Sequence, residues 1–398
     1  MGWRGIIVGV VTSAALVAPS AAFAASATSS WEPATGTLTW TLEGGLSSGY
    51  LLDQTATEPV PCSFEGCPPS WDVVKHLVIR GVNQPLEIVT TTGEPWVRAD
   101  GTGIDIRIEA ASIAGRPDVV LTIKHVERDG SASKRALRTR VVGKQIDFDS
   151  DGKVDLDVVA RDWKLWGFPG SPANDVIDLR RMDRQTDDAP EGVSWGKAYA
   201  TVGSGAGNDI IYGSPFDDDL GGGDGSDRIY GGAGNDRITG GLGRDYLYGG
   251  AGNDQIRGLY MGSGARRDPS GDFIWGGSGY NALYGSPGVD RIYGGPNRDW
   301  VHGFEGNDLI YGGRGPDVLT GGKGRDRLYG GAGDDELVDH EGTRNLAFGG
   351  PGKDYINFGT LNGPWKRSAR TSIANCGPGA RDFTPERYPH RVGCERVV

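Results

Sequence analysis

Two hydrophobic rhythms divide this chain. Between residues 31 and 165 apolar and polar positions alternate. Ile104, Ile106 and Ile108 are interleaved with Asp105, Arg107 and Glu109, the period-2 pattern of a strand with one buried face. The stretches 76–80, 86–91 and 119–126 are rich in β-branched residues and are separated by Gly, Pro, Asn or Asp, the residues that turn a chain. Amphipathic helical spacing is nearly absent. The pattern predicts a sandwich-like β domain in this half, with a strand order that the alternation does not encode.

From Ser204 onward the apolar positions recur every nine residues instead. Consecutive units read Gly222-Gly-Asp-Gly-Ser-Asp-Arg-Ile-Tyr230, Gly231-Gly-Ala-Gly-Asn-Asp-Arg-Ile-Thr239 and Gly240-Gly-Leu-Gly-Arg-Asp-Tyr-Leu-Tyr248. The phase holds over 204–338, passes through one ten-residue unit (339–348) and closes on Gly349-Gly-Pro-Gly-Lys-Asp-Tyr-Ile-Asn357. Position eight is Ile, Leu or Val from Ile211 to Ile256 and from Ile274 to Leu337, one core residue per unit. Self-similarity of this length predicts a solenoid.

These units resemble the RTX, or haemolysin-type, calcium-binding repeat G-G-x-G-x-D-x-U-x, with U a large apolar residue. The resemblance implies an all-β C-terminal half: a right-handed parallel β-roll with two units per turn, six-residue calcium loops and three-residue strands. Preceded by the sandwich-like domain, it gives the fold expected of the whole chain.

The residue chemistry leads to the same ion. Glycine makes up 68 of 398 residues, well over twice the ordinary share of about 7%, and most of the excess follows Gly203. Such loops turn their carbonyls inward, and position six adds one carboxylate per loop. Calcium takes six to eight oxygens at about 2.3–2.6 Å. With 18 residues per turn, equivalent residues stack at about 4.8 Å. One expected column runs Asp218, Asp236, Asp254, Asp272, Asp290, Asp308, Asp326. The other runs Asp209, Asp227, Asp245, is interrupted at Ser263 and Asn281, and resumes at Asp299, Asp317, Asp335, with Asp354 beyond it. Like charges this close repel by roughly 1–4 kcal/mol per neighbour, so the stack calls for divalent ions. Pairs of neighbouring aspartates suggest about nine calcium ions, leaving aside Asp272, whose loop lacks glycines. Residues 258–275 are expected to form one full degenerate turn in register. That places Tyr212, Tyr230, Tyr248 and Tyr284 on one wall and Trp275, Tyr293, Tyr311 and Tyr329 on the other, covering the sheets from outside.

A second calcium motif precedes the repeats. Asp147-Phe-Asp149-Ser-Asp151-Gly152-Lys153-Val-Asp155 resembles an EF-hand loop, but Val158 stands where a bidentate Glu is needed. With Val154, Leu156 and Val158 alternating, it is more similar to the D-x-D-x-D-G-x-x-D loops of FG-GAP repeats. Gly170-Ser-Pro-Ala-Asn-Asp175-Val-Ile-Asp178 reads either as a lone degenerate nonapeptide or as an ordinary turn.

Net charge is -11, which disfavours nucleic acid and anionic lipid and favours cations. Catalytic patterns are thin. There is no H-E-x-x-H, and Gly45-Leu-Ser47-Ser-Gly49 matches a nucleophile elbow only formally, without the strand-to-helix context that motif requires. The five histidines have no metal spacing, so the chain is expected not to be an enzyme.

Arg4, the apolar run Ile6 to Val17 and Ala22-Phe23-Ala24 read as an export signal over 1–24. Two local disulfides, Cys62–Cys67 and Cys376–Cys394, suit an exported chain, with a zinc site the rival reading. The expected layout is a β domain over 25–165 ending in the 147–155 loop, a linker over 166–203, the roll over 204–357 and a cap over 358–398. RTX relatives often leave by an uncleaved C-terminal signal, whereas this chain carries an N-terminal one. The expectation is therefore a secreted, extracellular calcium-binding protein with a surface or adhesive role and no membrane span after cleavage. A secreted hydrolase, or an adhesin binding glycan or protein through residues 31–165, are the alternatives.

Overall fold

A computed structural model describes residues 173–182, 200–259, 268–339 and 344–358 in full, and elsewhere the strand backbones together with Gly377. No helix occurs among the described residues, and none is long and apolar enough to cross a membrane. The chain divides into two units, 1–205 and 206–398.

In the first unit the strands expected from the alternation are present as His76–Val82, Leu86–Thr91, Asp105–Ala110 and Val119–Val126. Their pairing is largely parallel. Thr37–Glu43, His76–Val82, Asp105–Ala110 and Leu156–Val159 follow one another in one sheet. Tyr50–Asp53, Leu86–Thr91, Val119–Val126, Trp163–Pro169 and Ala200–Ala206 do so in another. Antiparallel pairing joins Ser26–Glu32 to Thr37–Glu43 and Arg138–Gly143 to Gln145–Asp147. The sandwich-like packing expected here rests on side chains outside the described residues. Within the stretch expected to be a linker, Val176–Met182 pairs parallel with Arg138–Gly143 and buries Ile177, Leu179 and Met182.

The second unit is a parallel β-solenoid. Eight strands from Ile210–Tyr212 to Leu346–Phe348 stack in one sheet. Eight more, from Asp218–Asp224 to Tyr355–Asn357, stack in the other. Position eight points between them: Ile211, Leu220, Ile229, Leu247, Ile274, Val301 and their counterparts are fully buried. Burying such a side chain contributes about 1.5–3 kcal/mol, but one per nine residues makes a thin core. Many strands are longer than three residues. Arg228–Ala233 and Arg327–Ala332, for example, run on through the glycine pair, because loops stacked directly above one another continue the backbone ladder. Beyond Phe358 the backbone adds Ile373–Asn375 and Arg391–Val392 to one sheet and Phe383–Thr384 and Glu395–Arg396 to the other.

The register corrects the expected columns. Most rungs are 18 residues apart, but Tyr246 pairs with Phe273 and Gln255 with Ala282, a step of 27. Residues 258–275 are therefore not a full turn in register: the stacked rungs skip one nine-residue unit, and residues 260–267 lie outside the described part. The physical reason is core continuity. The skipped unit offers Ala265 at position eight and Arg266 at position nine. Skipping it lets Leu247 meet Ile274, Ile256 meet Leu283, and Tyr248 meet Trp275.

That slip also merges the two expected aromatic walls. Tyr212, Tyr230, Tyr248, Trp275, Tyr293, Tyr311, Tyr329 and Phe348 form one continuous ladder, with ring centroids 5.1, 4.7, 4.5, 5.6, 5.1, 4.7 and 4.9 Å apart. Tyr284 lies on the other sheet, against Trp300 and Phe304. Offset-stacked pairs contribute about 0.5–1.5 kcal/mol each beyond their burial, so the ladder supports the sheet without any ion.

Candidate metal centre

Each loop enters from a strand, turns at its glycines and returns through the position-six residue. Gly234, with φ of +118°, is held by the turn below, where a Cβ would strike the Phe216 carbonyl. The returning Asp does two things with its carboxylate. One oxygen, Oδ1, accepts the backbone N–H of the equivalent residue one rung earlier. The Asp209 N–H donates to Asp227 at 2.8 Å, Asp218 to Asp236 at 2.8 Å, Asp227 to Asp245 at 2.9 Å and Asp236 to Asp254 at 2.9 Å. Asp290 donates to Asp308 at 2.9 Å, Asp299 to Asp317 at 2.8 Å, Asp308 to Asp326 at 2.8 Å, Asp317 to Asp335 at 2.9 Å and Asp335 to Asp354 at 3.0 Å.

Across the slip, Asp245 donates to Asp272 at 2.9 Å and Asp272 to Asp290 at 2.6 Å, while Asp254 donates to Asn281 at 3.0 Å and Asn281 to Asp299 at 2.9 Å. The columns are thus Asp209, Asp227, Asp245, Asp272, Asp290, Asp308, Asp326, Asn345 and Asp218, Asp236, Asp254, Asn281, Asp299, Asp317, Asp335, Asp354. This corrects both expected columns beyond residue 254. It also brings Asp272, set aside for want of loop glycines, squarely into line.

The other oxygen, Oδ2, faces into its own loop. In Asp227, Asp236, Asp245, Asp254, Asp272, Asp299, Asp308, Asp317, Asp326 and Asp335 it is buried and has no hydrogen-bond partner. It points at the position-one glycine, beside the carbonyl of the glycine one turn later. A Cβ built on Gly294 would lie 2.5 Å from Asp299 Oδ2 and against the Gly312 carbonyl. Those on Gly231 and Gly240 would meet Asp236 and Asp245 Oδ2, with the Gly249 and Gly258 carbonyls at 2.5 and 2.8 Å. The space left by the missing side chain is an oxygen-lined cradle. Among the described residues no three acidic, His or Cys side chains converge; each cradle instead sets one carboxylate among backbone carbonyls. Hard oxygen donors without nitrogen or sulfur suit calcium, so the residues present fit the ion their sequence implies.

Burial makes these carboxylates bind protons more tightly than free ones do. Burial pushes Asp227 and Asp272 up to about 7, Asp236, Asp245, Asp290 and Asp317 to about 8, and Asp308 to about 9. Asp254, Asp299 and Asp335 rise to about 6. The charges of the neighbouring aspartates raise several further, as Asp218 does for Asp236 and Asp290 for Asp308. The N–H bonds at Oδ1 oppose the rise. A buried carboxylate pays this penalty unless a cation replaces its water.

Three features escaped the sequence reading. In Gly213-Ser-Pro and Gly285-Ser-Pro the serine replaces a loop glycine. Its N–H donates to Asp218 Oδ2 at 2.6 Å and Asp290 Oδ2 at 2.7 Å, and its hydroxyl donates to Oδ1, so these two carboxylates also cap their own turns. Gly170-Ser-Pro carries the same signal, and there Asp175 and Ile177 are buried like positions six and eight. Position five forms a second, exposed ladder in which Asn208, Asp217 and Asn235 accept N–H groups one turn later. Finally, Asn281 fills its own cradle. Its Oδ1 accepts the Asp254 N–H, which fixes the amide and turns Nδ2 inward toward the carbonyls of Gly277 and Gly279 at 3.4 and 3.3 Å. Of the Asp147, Asp149, Asp151, Asp155 motif only the Gln145–Asp147 strand backbone is described. Ser47 and the four cysteines lie outside the described residues.

Comparison with known proteins agrees with this geometry. Residues 204–220, 221–256, 268–301 and 302–337 match the RTX calcium-binding nonapeptide repeat in four copies. The gap between the second and third falls on the unit that the register skips. No curated protein matches the chain.

Proposed function

We propose that this chain, whose residues 204–337 are RTX calcium-binding nonapeptide repeats, is an exported, non-enzymatic calcium-binding protein whose solenoid folds when it meets extracellular calcium. One observation carries the reading: the buried Oδ2 atoms of ten loop aspartates, from Asp227 to Asp335, point without a donor into cradles otherwise lined by carbonyls. Unfilled, each such atom costs about 1–3 kcal/mol. Filled by calcium, the same atoms join successive rungs, and the ion contributes folding free energy that the thin core lacks. The Asp147–Asp155 loop adds a further candidate site ahead of the roll. The leader pattern of residues 1–24 supports export, and because that leader would handle secretion, the roll is assigned a surface or adhesive role instead.

Native mass spectrometry of the chain in calcium-containing volatile buffer tests the proposal directly. Several bound calcium ions are expected, with cooperative loss of β circular dichroism on titration with EGTA. A chain that carries no calcium, and whose spectrum ignores EGTA, overturns it.

A further inference from the structure

Two departures of the ten-residue unit 339–348 from the repeat concern carboxylates. Its position-six equivalent is Asn345, whose Oδ1 accepts the Asp326 N–H at 3.0 Å as an aspartate would. Its first position, glycine in the neighbouring units, is Asp339. The two departures are linked in space. A Cβ built on Gly321 would have as its nearest neighbours the Asp339 Oδ2 at 2.5 Å and the Asp326 Oδ2 at 2.7 Å. Asp339 is 1% exposed, and its N–H is tied to the Asn357 carbonyl at 2.9 Å, so the side chain is held over the cradle rather than reaching in from solvent. Asp326 is fully buried, and its Oδ2 has no hydrogen-bond partner.

We infer that Asp339 is a calcium ligand: in a unit whose own loop lost its carboxylate at Asn345, it supplies a second carboxylate to the Gly321 cradle one turn earlier and makes that cradle a two-carboxylate site closing the C-terminal end of the column. Two charged carboxylates facing one cavity repel each other at short range. A divalent oxygen-seeking ion removes that conflict. A carbonyl carries only a partial charge, so exchanging it for a carboxylate raises affinity at this cradle above that of its one-carboxylate neighbours. The contrast with residue 281 supports compensation as the reason. There position one is Gly276, so the cradle one turn earlier, at Gly249, faces Asp254 Oδ2 and the Gly276 carbonyl, and the Asn281 amide occupies its own cradle. This inference rests on the calcium reading of the roll but concerns one residue.

Calcium binding to the full chain, followed by native mass spectrometry and competition with a chromophoric chelator, tests it with three proteins: wild type, Asp339→Gly, and Asp339→Gly combined with Asn345→Asp. Asp339→Gly is expected to bind one calcium fewer at limiting metal, or to weaken one tight ion by at least tenfold. It should also speed amide exchange at Leu346, whose N–H bonds the Asp326 carbonyl. The double variant, which restores the repeat consensus, is expected to recover the ion. An unchanged stoichiometry and affinity in Asp339→Gly overturns the inference, as does failure of Asn345→Asp to rescue. Wild-type protein that binds no calcium would instead overturn the reading of the whole roll.

Discussion

The cradles of Asp299 and Asn281 lie in successive rungs of one column, and they differ in a single atom. Both residues place Oδ1 on the backbone N–H of the rung before: Asn281 accepts from Asp254, and Asp299 accepts from Asn281. Both are buried. At Asp299 the second atom is a bare oxygen beside a glycine carbonyl. At Asn281 it is an NH2 group, 2.7 Å from the Cβ position of Gly276, that donates to carbonyls of its own loop. The first loop is complete only with a cation, whereas the second has already put a donor where the cation would go. The ladder hydrogen bond and the ion site are therefore separable functions of one side chain. The roll tolerates loss of the second where an amide substitutes for metal.

Removing calcium altogether should produce the largest effect. It leaves the Asn281 rung satisfied and the aspartate rungs exposed to their desolvation and mutual repulsion, and a solenoid held by nearest-neighbour contacts does not survive on one rung. Chelation is expected to abolish the cooperative thermal transition of the second unit, read by circular dichroism. A transition at unchanged temperature would mean the cradles do not use metal. Next in size is Asp308→Ala, which deletes both functions at once: the acceptor of the Asp290 N–H and the cradle oxygen. An orphaned buried N–H costs about 1–3 kcal/mol, to which the lost ion adds. Asp308→Asn should keep the first and lose only the second, imitating residue 281. If the two variants melt together in saturating calcium, the separation of functions is wrong.

The reciprocal change, Asn281→Asp, should add one calcium ion to the roll. Its sign depends on the metal: stabilising in saturating calcium, destabilising in chelator, where a new buried carboxylate joins Asp254 and Asp299. Calorimetry in both conditions reads this crossover, and a variant that is destabilised in both would show that the rung cannot open to receive an ion.

How far the pattern could be read follows from the same residues. Position eight announced the core, and position six announced the carboxylates, because each is set by a period the backbone repeats. Register across residues 258–275 was not legible. A nine-residue unit has the right length to fit, and only the comparison of Leu247 opposite Ala265 with Leu247 opposite Ile274 excludes it. That comparison needs two rungs seen side by side. The Asp339 carboxylate was hidden for a similar reason. It occupies a position the repeat reserves for glycine, and its use depends on a cradle 18 residues earlier. Serine at positions 214 and 286 changed what Asp218 and Asp290 bind without changing the aspartates themselves.

Protons provide a gentler probe than mutation. In the metal-free protein Asp236, Asp245, Asp290 and Asp317 rise to about 8 and Asp308 to about 9, from an ordinary 3.8, chiefly by burial. A raised folded-state value means the folded form binds protons more tightly than the unfolded chain. Its stabilisation is complete below pH 3.8 and drains away as pH climbs towards 8 or 9. The apo roll should therefore gain stability as pH falls from 8 to 5, and calcium should release protons when it binds at pH 7. Calorimetric titrations in buffers of different ionisation heat detect that release. Asp254 and Asp299, which flank Asn281 and reach only about 6, should contribute least, so the Asn281→Asp variant should release more. Equal heats in every buffer would show that calcium displaces no protons.

The smallest expected effect isolates the part of the roll that owes nothing to metal. Trp275 bridges the slip, stacked on Tyr248 at 4.5 Å and on Tyr293 at 5.6 Å, while Ile274 beneath it carries the core. Trp275→Leu keeps an apolar, strand-compatible side chain but removes two ring pairs, a loss of about 1–3 kcal/mol at 0.5–1.5 kcal/mol per pair. Because the ladder rings supply no oxygen to a cradle and Trp275 is not among the partners of Asp308, the loss should add to that of Asp308→Asn rather than multiply it, as for sites without shared partners. Calcium stoichiometry should stay at the wild-type value. A drop in bound ions in Trp275→Leu would mean that the aromatic ladder sets the spacing of the carboxylates, and that the two halves of each unit, loop and strand, cannot be treated as separate sources of stability.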